Sequence, residues 1–404
     1  MKDPIRILTF STLYPNEVQP NHGIFVENRL RHLVGSGAVE AVVVAPVPYF
    51  PSGSKVFGRW SDYARVPKVE RRNGLTVHHP RYPVVPKIGM NLAPAHLAAG
   101  SLHTIRRLCR DGHAFDLIDA HFAYPDGVAA VWLGKWFGKP VVVTARGTDV
   151  NFTPRFRLPR RMIRHALAKA AGIITVSEAL KDATIELGIA PDDVTVLRNG
   201  VDLKRFHPMD RCQVRARLGI DGVTLLSVGH LIERKGHDLV IRALAELADC
   251  RLVIVGEGPE RGRLEALAAT LGVASRVRLV GAKPHDEMAQ YYTAADALVL
   301  ASSREGWANV LLEAMACGTP VVASNIWGNP EVVAAPAAGR LMHERTPGGI
   351  VEAARDLFAN PPDRKATRHY AEKFSWDETT RGQLDLFGQI LSRTQRAAAD
   401  SPRL

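Results

Sequence analysis

Cysteine is scarce in this sequence. Its four cysteines, among 404 residues, stand far apart, and neither a C-x-x-C spacing nor a histidine cluster accompanies them. Because disulfide frameworks and zinc sites need suitably spaced ligands, the sequence predicts neither, and a reducing compartment suits it. Long apolar runs are missing too: the opening MKDPIRILTFSTLYP is too weakly apolar for a signal peptide, and nowhere do about eighteen apolar residues follow one another. We expect a cytoplasmic protein that does not span a membrane.

Two familiar nucleotide-binding motifs are also absent. No G-x-x-x-x-G-K-[ST] sequence occurs, and the G-x-G that begins at Gly256 has Arg261 where a dinucleotide-binding fingerprint needs its third glycine. These absences exclude a P-loop nucleotide hydrolase and an enzyme that holds a hydride cofactor on that fingerprint.

The sequence has an excess of positive charge, and the excess lies only in the first half. Up to Arg205 the chain has 28 lysines and arginines against 17 aspartates and glutamates, whereas the rest has 24 of each. This asymmetry predicts an anionic partner for the first half. No zinc knuckle, RRM-like aromatic motif or basic low-complexity arm accompanies the charge, so an anionic membrane surface or an acidic acceptor is favoured over nucleic acid.

A predicted helix at 159–170 concentrates part of this charge. Met162, Ile163 and Ala166 lie on one side of it, and Arg160 and Arg164 lie on the other. The pattern is typical of a packed surface helix with a solvated basic face, and equally of a patch for anionic lipid headgroups. The sequence leaves both interpretations open.

Short apolar runs alternate with helical patterns along the whole chain. Strands are predicted at 5–10, 41–47, 117–120 and 141–144, and the alternation restarts with a strand at 224–228. Such alternation is typical of parallel sheets with right-handed crossovers. We therefore predict an α/β protein in which one doubly wound architecture is used twice. The Pro-rich and aromatic-rich segment 48–94 is predicted to be an irregular insertion that serves as a binding loop.

Polar residues follow the predicted strands of the first half. His121 comes directly after the strand 117–120, and Arg146 and Asp149 follow the strand 141–144. Ligands of open parallel sheets bind at the carboxyl ends of the strands, so these residues are candidates for a pocket wall. Gly23 ends the first strand-to-helix turn; it either allows a ligand close to the backbone or simply starts a helix.

In the second half, Gly229 follows the strand 224–228, and Arg234 and Lys235 come just before the next helix. Arginine binds phosphate with a planar fork and lysine as a point charge, so this turn is a candidate phosphate site. Adjacent basic residues are also common on ordinary protein surfaces. Only their position at a strand-to-helix turn favours the functional interpretation.

The stretch 301–324 combines a loop, a short helix and a strand. Asn309 is predicted to cap the helix and Gly318 to end it, so the loop brings free amides to a helix start, which attracts anions. Glu305 and Glu313 flank that start and need hydroxyl donors. The combination indicates a site for a phosphorylated sugar or a nucleotide, although the helix dipole alone also favours acids there.

Several ordered runs carry a resemblance to a known family. EGWANVLLEAMACGTPVVAS, SVGHLIERKG, IVGEGPE and NGVDLKRF resemble the retaining glycosyltransferases of family 4, which have the GT-B fold. LYPNEVQPNHGIFVE and TARGTDV resemble the branch that builds bacterial exopolysaccharides, teichuronic or colanic acid, and capsules. The resemblance implies two Rossmann-like doubly wound domains facing a central cleft: an acceptor-binding domain at 1–205, a nucleotide-sugar-binding domain at 206–374, and a C-terminal helix at 375–404 that packs back on the first domain.

The resemblance also implies roles for residues. Glu313 would bind ribose hydroxyls, Glu305 the hydroxyls of the transferred sugar, and Arg234 with Lys235 the diphosphate. His121 would lie beside the reacting sugar, and with Glu305, Arg234 and Lys235 it completes the implied catalytic set. The donor-binding residues implied by the match are Gly23, Gly229, Arg234, Lys235, Glu305, Gly306, Trp307, Ala308, Asn309, Val310 and Glu313. The acceptor-side candidates are His121, Arg146 and Asp149.

Three positions depart from the family pattern. Many relatives have histidine where Arg146 stands, arginine where His230 stands and proline where Ala308 stands. Arg146 is therefore expected to bind an anionic acceptor or the donor phosphate. Because His230 replaces an arginine of the relatives, phosphate binding is expected to depend more heavily on Arg234 and Lys235.

The activity implied is that of a retaining hexosyltransferase. It would move a sugar from a UDP- or GDP-sugar to a lipid-linked, polyprenyl-linked or growing saccharide in cell-surface polysaccharide biosynthesis, at the inner face of the plasma membrane. No D-x-D occurs, which agrees with a site that needs no metal ion or other cofactor. The alternatives are a sugar-nucleotide epimerase on a similar fold and a non-catalytic sugar-nucleotide-binding protein.

Overall fold

The chain folds into two compact units. A computed structural model describes residues 3–84 and 89–399. The first unit runs to Arg198 and resumes at Asp377, and the second is Asn199–Trp376. Each unit has its own sheet, which is parallel throughout in the second unit and parallel except at one edge in the first. Among the described residues, no helix is both long enough and apolar enough to cross a membrane.

The strands of the first unit are mostly short and largely buried. In chain order they are β1 (Ile5–Phe10), β2 (Val39–Val44), β3 (Val47–Pro48), β4 (Val69–Arg72), β5 (Leu75–His78), β6 (Arg81–Tyr82), β7 (Leu117–His121), β8 (Val141–Ala145), β9 (Gly172–Thr175) and β10 (Val194–Val196). Its helices before the second unit are α1 (Ile24–Gly35), α2 (Arg59–Arg65), α3 (Gly89–Arg110), α4 (Val128–Phe137), α5 (Thr148–Asn151), α6 (Arg157–Lys169) and α7 (Glu178–Ile185).

Eight of these strands form one sheet in the order β10-β9-β8-β7-β1-β2-β5-β4, and β3 pairs with β6 separately. All neighbours in the large sheet are parallel except β4 and β5. Continuous apolar runs such as that of β8, which is buried throughout, suit a sheet covered on both faces. The strand order changes direction between β1 and β7, and this is where open sheets bind ligands.

Helix α3 begins at Gly89, inside the segment 48–94 that was predicted to be irregular, and it continues through Pro94. That prediction is wrong, because the segment also contains α2 and the strands β4 to β6. A proline inside a helix cannot donate to the carbonyl four residues earlier, which here belongs to Met90. The hydroxyl of Tyr124 donates to that carbonyl oxygen instead. A side chain from another element therefore supplies the hydrogen-bond donor that the proline cannot provide to the Met90 carbonyl oxygen.

The second unit supplies a six-stranded sheet. Its strands are β11 (Val223–Val228), β12 (Cys250–Val255), β13 (Val277–Leu279), β14 (Ala297–Leu300), β15 (Val321–Ser324) and β16 (Gly339–Met342). Its helices are α8 (Arg211–Leu218), α9 (His237–Leu244), α10 (Arg261–Thr270), α11 (Met288–Ala294), α12 (Asn309–Ala316), α13 (Asn329–Val332), α14 (Pro347–Ala359) and α15 (Arg364–Glu372). The order β13-β12-β11-β14-β15-β16 is parallel throughout and is the doubly wound dinucleotide-binding order. The predicted α/β fold with two doubly wound parallel sheets is confirmed.

The last described helix, α16 (Trp376–Ala399), returns to the first unit. Its Phe387 and Ile390 are buried in the same apolar cluster as Ile7 of β1 and Val26 of α1. The core of the first unit is therefore built from two segments of chain that the whole second unit separates in sequence.

The predicted cap of α12 is wrong as well. Asn309 does not cap α12: Ala308 occupies the N-cap position, and Asn309 is the first helical residue. The Asn309 Oδ1 accepts a hydrogen bond from Asn199 Nδ2 at 3.2 Å, so the side chain is already engaged outside the helix. Gly318 lies just past the helix, with φ +78°, as predicted for a glycine that ends it.

Candidate functional site

In the second unit, the strand order changes direction between β11 and β14, so the loops after these two strands lie side by side. The loop after β11 carries Gly229, His230, Arg234 and Lys235, and the loop after β14 leads to Glu305. Gly236 allows the two loops to touch. It has φ +69°, and a Cβ there would lie 2.2 Å from the Ala301 carbonyl oxygen. Any larger residue would push the basic loop away.

Lys235 and Glu305 form an ion pair across these loops. Lys235 Nζ lies 2.6 Å from Glu305 Oε1, and the two side chains are 17% and 11% exposed. Burial by itself would raise the pKa of Glu305, but the charge and hydrogen bond of Lys235 hold this pKa below its ordinary value. The site therefore presents a cation and an ionised carboxylate together, both within reach of solvent.

Arg234 is fixed to the same loop. Its Nη1 donates to the Arg304 carbonyl oxygen at 2.8 Å, and its own carbonyl oxygen accepts from the Ser303 amide at 2.8 Å. His230, in contrast, is exposed. The structure thus brings Arg234, Lys235 and Glu305 together.

Helix α12 starts shortly after Glu305 in the sequence. Because its first residue is Asn309, the amides of Asn309 and Val310 have no helical carbonyl to bond. Gly306, Trp307 and Ala308, just before the helix, are buried. The Trp307 indole Nε1 donates to the Asn199 carbonyl oxygen at 3.1 Å, so this side chain anchors the loop within the unit.

Glu313, one turn further along α12, is held by two side chains that the sequence analysis missed. Tyr292 Oη donates to Glu313 Oε2 at 2.7 Å, and His285 Nε2 lies 3.2 Å from Glu313 Oε1. Arg205 Nη1 donates to His285 Nδ1 at 2.8 Å, so the neutral ring must carry its proton on Nε2, toward Glu313. Burial, followed by the Glu313 charge, raises the pKa of Tyr292. A fixed carboxylate is what recognition of a diol needs.

The change of strand direction in the first unit holds another group of charged residues. His121 ends β7 and is 1% exposed, and Arg146 follows β8 and is 8% exposed. Arg146 Nη2 donates to His121 Nδ1 at 2.8 Å, while His121 Nε2 lies 3.2 Å from Asp119 Oδ2. Burial lowers the pKa of His121, and a guanidinium at Nδ1 lowers it further. Asp119 is two residues before His121 on one strand and so shares its face, which is a signal the sequence did contain.

Asp149 organises the loops around this group. Its carboxylate accepts hydrogen bonds from the amides of Ala123 (2.6 Å), Gly147 (2.7 Å) and Arg146 (3.1 Å). The side chain is fully buried, and burial raises its pKa. The structure therefore places Asp149 beside His121 and Arg146, with its oxygens occupied by backbone.

Two more residues shape the turn after β1. Gly23 has φ +68°, and a Cβ there would lie 2.3 Å from the carbonyl carbon of Leu13, so its own unit already requires glycine. Asp126, buried in the turn after β7, accepts from the amide of Thr12 and, at 3.0 Å, from the hydroxyl of Thr12. Burial raises the pKa of Asp126 to about 7. No pattern in the sequence points to Asp126.

Comparisons with known proteins agree with this arrangement of two units. The family model described as "Glycosyltransferase Family 4" matches residues 24–205, and the one described as "Glycosyl transferases group 1" matches residues 213–374. Among solved structures, Anabaena HepE in complex with UDP superposes with a TM-score of 0.70 at 21% identity, over 96% of this chain and all of that one. At this identity the likeness shows the fold.

Curated relatives cover most of the chain. A putative teichuronic acid biosynthesis glycosyltransferase, TuaC of Bacillus subtilis, is 30% identical over 80% of this chain and 82% of its own length. A D-inositol 3-phosphate glycosyltransferase of Frankia alni is 33% identical over 79% of this chain and 85% of its own. With both halves matched by family models and relatives of this extent, the chain belongs to the family 4 glycosyltransferases of the GT-B fold.

Proposed function

We propose that this glycosyltransferase moves a hexose from a UDP- or GDP-sugar to a lipid-linked or growing saccharide during cell-surface polysaccharide synthesis, with retention of configuration. The observation that carries the proposal is the Lys235–Glu305 pair, 2.6 Å apart at the change of strand direction in the second unit. A cation suits the diphosphate of such a donor, and a neighbouring carboxylate suits sugar hydroxyls. The UDP complex of Anabaena HepE supports a nucleotide donor.

The donor is assigned to the second unit, group by group. Lys235 has three N–H donors, so its bond to Glu305 leaves capacity for phosphate oxygens. Arg234 and the amides at the start of α12 add further donors for the diphosphate. Glu305 receives hydroxyls of the transferred sugar, and Glu313, oriented by Tyr292 and His285, receives the ribose diol.

These hydrogen-bond donors act on the step in which the bond from the sugar to the diphosphate breaks. As the bond between the anomeric carbon and the phosphate oxygen breaks, negative charge grows on the leaving nucleoside diphosphate, and donors already in place stabilise it. The acceptor hydroxyl oxygen attacks from the face that the diphosphate leaves, and its proton passes to the departing phosphate oxygen. These basic groups and amides take the place of a divalent ion in the proposal, so a chelator should leave the rate unchanged.

The acceptor is assigned to the first unit, with His121 and Arg146 on its side of the reaction. A neutral His121, held by Arg146 and Asp119, is fixed in orientation, and Arg146 carries positive charge. The excess of basic residues up to Arg205 suits an acceptor that bears phosphate. A polyprenyl-diphosphate-linked saccharide is the acceptor we favour, and an inositol phosphate, suggested by the Frankia alni relative, is the second candidate.

A lipid-linked acceptor requires access to a membrane, and one surface of the first unit is suited to it. We call it the α4–α6 surface: it consists of the exposed arginines of α6 and, at the start of that helix, Phe156 and Leu158, which are each 44% exposed. Helix α6 contains no acidic residue and packs beside α4. Apolar side chains next to basic ones suit the headgroup region of an anionic membrane, so we place the enzyme peripherally at its inner face.

A product assay tests the activity. The protein is incubated with UDP-, GDP- and ADP-sugars, each with no acceptor, with membrane lipid extract, or with inositol phosphate, and products are identified by mass. Saccharide formed only with one acceptor supports transfer, and the anomeric coupling constant of the product by NMR tests retention. Donor conversion to an isomeric sugar without any acceptor points to the epimerase, and binding without turnover points to the non-catalytic protein.

Vesicle flotation tests the surface. The double variant Arg160→Glu/Arg161→Glu should lose flotation with phosphatidylglycerol vesicles, because it replaces attraction to anionic lipid with repulsion. The matched control is Arg393→Glu/Arg396→Glu, the same charge reversal on exposed α16 residues of the same unit. Equal flotation of wild type and both variants would contradict the assignment of the α4–α6 surface.

A further inference from the structure

Helix α16 places one polar side chain inside the first unit. Gln383 is 1% exposed and lies between Arg29 of α1 and Asp119 of β7, which are themselves 1% exposed. Its Oε1 accepts from Arg29 Nε at 2.9 Å, and its Nε2 donates to Asp119 Oδ2 at 3.1 Å. A guanidinium can only donate and a carboxylate can only accept, so the orientation of the amide is fixed by its two partners.

The contacts continue from Asp119 to the site. The same oxygen, Asp119 Oδ2, lies 3.2 Å from His121 Nε2, and His121 Nδ1 accepts from Arg146 Nη2 at 2.8 Å. Because Nδ1 must present a lone pair to the guanidinium, the neutral ring carries its proton on Nε2, facing Asp119. The side chains of Gln383, Asp119, His121 and Arg146 therefore form one continuous buried chain.

We propose that Gln383 is a positioning residue of the acceptor side: it orients Asp119, whose carboxylate holds the charge and ring orientation of His121 so that His121 Nδ1 can accept from the guanidinium of Arg146. The effect on catalysis rests on the roles proposed above for His121 and Arg146. The contacts themselves lie wholly within the first unit. A segment that follows the second unit in sequence thereby controls a site built from residues far earlier in the chain.

The informative substitution is Gln383→Glu. An ionised glutamate keeps the size and can accept from Arg29, but it cannot donate to Asp119, and it places two carboxylates about 3 Å apart. Added negative charge beside His121 favours the imidazolium, whose Nδ1 proton would oppose the Arg146 guanidinium. Gln389→Glu is the matched control, because Gln389 is exposed on the same helix and undergoes the same change.

Two measurements separate positioning from simple stabilisation. Ring nitrogen NMR of histidine-labelled enzyme, with the His121 signals assigned by their loss in His121→Gln, reports the tautomer directly. The acid limb of the pH–rate profile reports its protonation during transfer. Gln383→Glu should move the His121 signals toward the imidazolium and shift the acid limb upward by about one pH unit or more, and Gln389→Glu should change neither.

The outcomes are distinct. Unchanged His121 signals in Gln383→Glu would overturn the proposal, and so would shifted signals with a wild-type pH–rate profile. If Gln383→Glu does not fold, Gln383→Met replaces it. That variant neither accepts from Arg29 nor donates to Asp119, and wild-type His121 signals in it would overturn the proposal equally. Shifted signals in a protein that transfers no sugar from any donor would refute the proposed function while leaving the positioning intact.

Discussion

Both sheets have a change in strand direction with charged residues beside it, but these residues differ between the two units in their exposure and in their partners. In the second unit, Lys235 and Glu305 remain 17% and 11% exposed beside a helix start. In the first unit, Asp119, His121 and Asp149 are at most 1% exposed. His121 lies 3.2 Å from Asp119 and accepts from Arg146, and Asp149 accepts from backbone amides. The exposed pair of the second unit can exchange partners with a charged ligand, whereas the buried contacts of the first unit fix the geometry of the side chains. Substitutions should therefore cost chiefly activity in the second unit and chiefly stability in the first.

The largest expected effect is the loss of stability caused by substitution of Asp149. Asp149→Ala removes the acceptor of three buried amides, so the first unit should lose about 3 kcal/mol or more of stability. Hydrogen exchange of peptides covering β7 and β8 measures this unit separately from the second. Asp182→Ala, at an exposed position of α7, should change the exchange by less than about 0.5 kcal/mol. Equal exchange in both variants would remove the contrast between the two units.

The next largest expected effect is the pH dependence of stability that Asp126 causes. Its pKa in the fold is about 7, above that of an unfolded aspartate, so the native state binds more protons than the unfolded state between about pH 4 and pH 7. Its contribution to stability is complete at the acid end of this range and falls as pH rises. From pH 5 to pH 8, wild type should lose about 2 kcal/mol relative to Asp126→Asn, measured by urea unfolding at both pH values. Parallel pH profiles would show that Asp126 does not titrate there.

The second unit is tested by Lys235→Ala. Loss of the cation removes the ion-pair partner of Glu305 and leaves the diphosphate less neutralised, so transfer should fall at least about tenfold, or about 1.4 kcal/mol in barrier, with the fold retained. The control is Lys365→Ala, an exposed lysine of the same unit. Wild-type kcat/KM in Lys235→Ala would remove this residue from the mechanism.

The smallest expected effect is that of Tyr292→Phe. It removes one hydrogen bond to Glu313, so the donor KM should rise about fivefold, or about 1 kcal/mol, with kcat nearly unchanged. Tyr291→Phe, the same change one residue earlier in α11, should leave KM as it is. A fall in kcat alone would mean that Tyr292 acts on the reacting sugar rather than on ribose.

Local patterns predicted the strands and the turns that carry the donor-side residues. Strand β1 has its predicted bounds, and Gly229, Arg234, Lys235 and Glu305 stand where strand-to-helix turns were expected. Such features depend on apolar runs, glycines and position along the chain, all of which are visible in a sequence.

Contacts between distant segments could not be predicted in this way. Nothing near Asn309 indicates that its side chain bonds Asn199 rather than capping α12, and nothing near Asp119 points to Gln383, 264 residues later. The extension of α3 through Pro94 likewise depends on Tyr124 from another element. These outcomes depend on tertiary packing, which overrides local propensity.

The path of the chain through the first unit also has a consequence for biosynthesis. Phe387, Ile390 and Gln383 emerge from the ribosome only after the whole of Asn199–Trp376. At about 5–20 residues per second, translation of that segment takes on the order of ten seconds or more. During this interval the nascent first unit exposes apolar surface that α16 later covers. At the end of the interval the second unit has all its residues, while the first unit still lacks α16. We therefore expect the second unit to fold first, and the nascent first unit to depend on chaperones until α16 arrives.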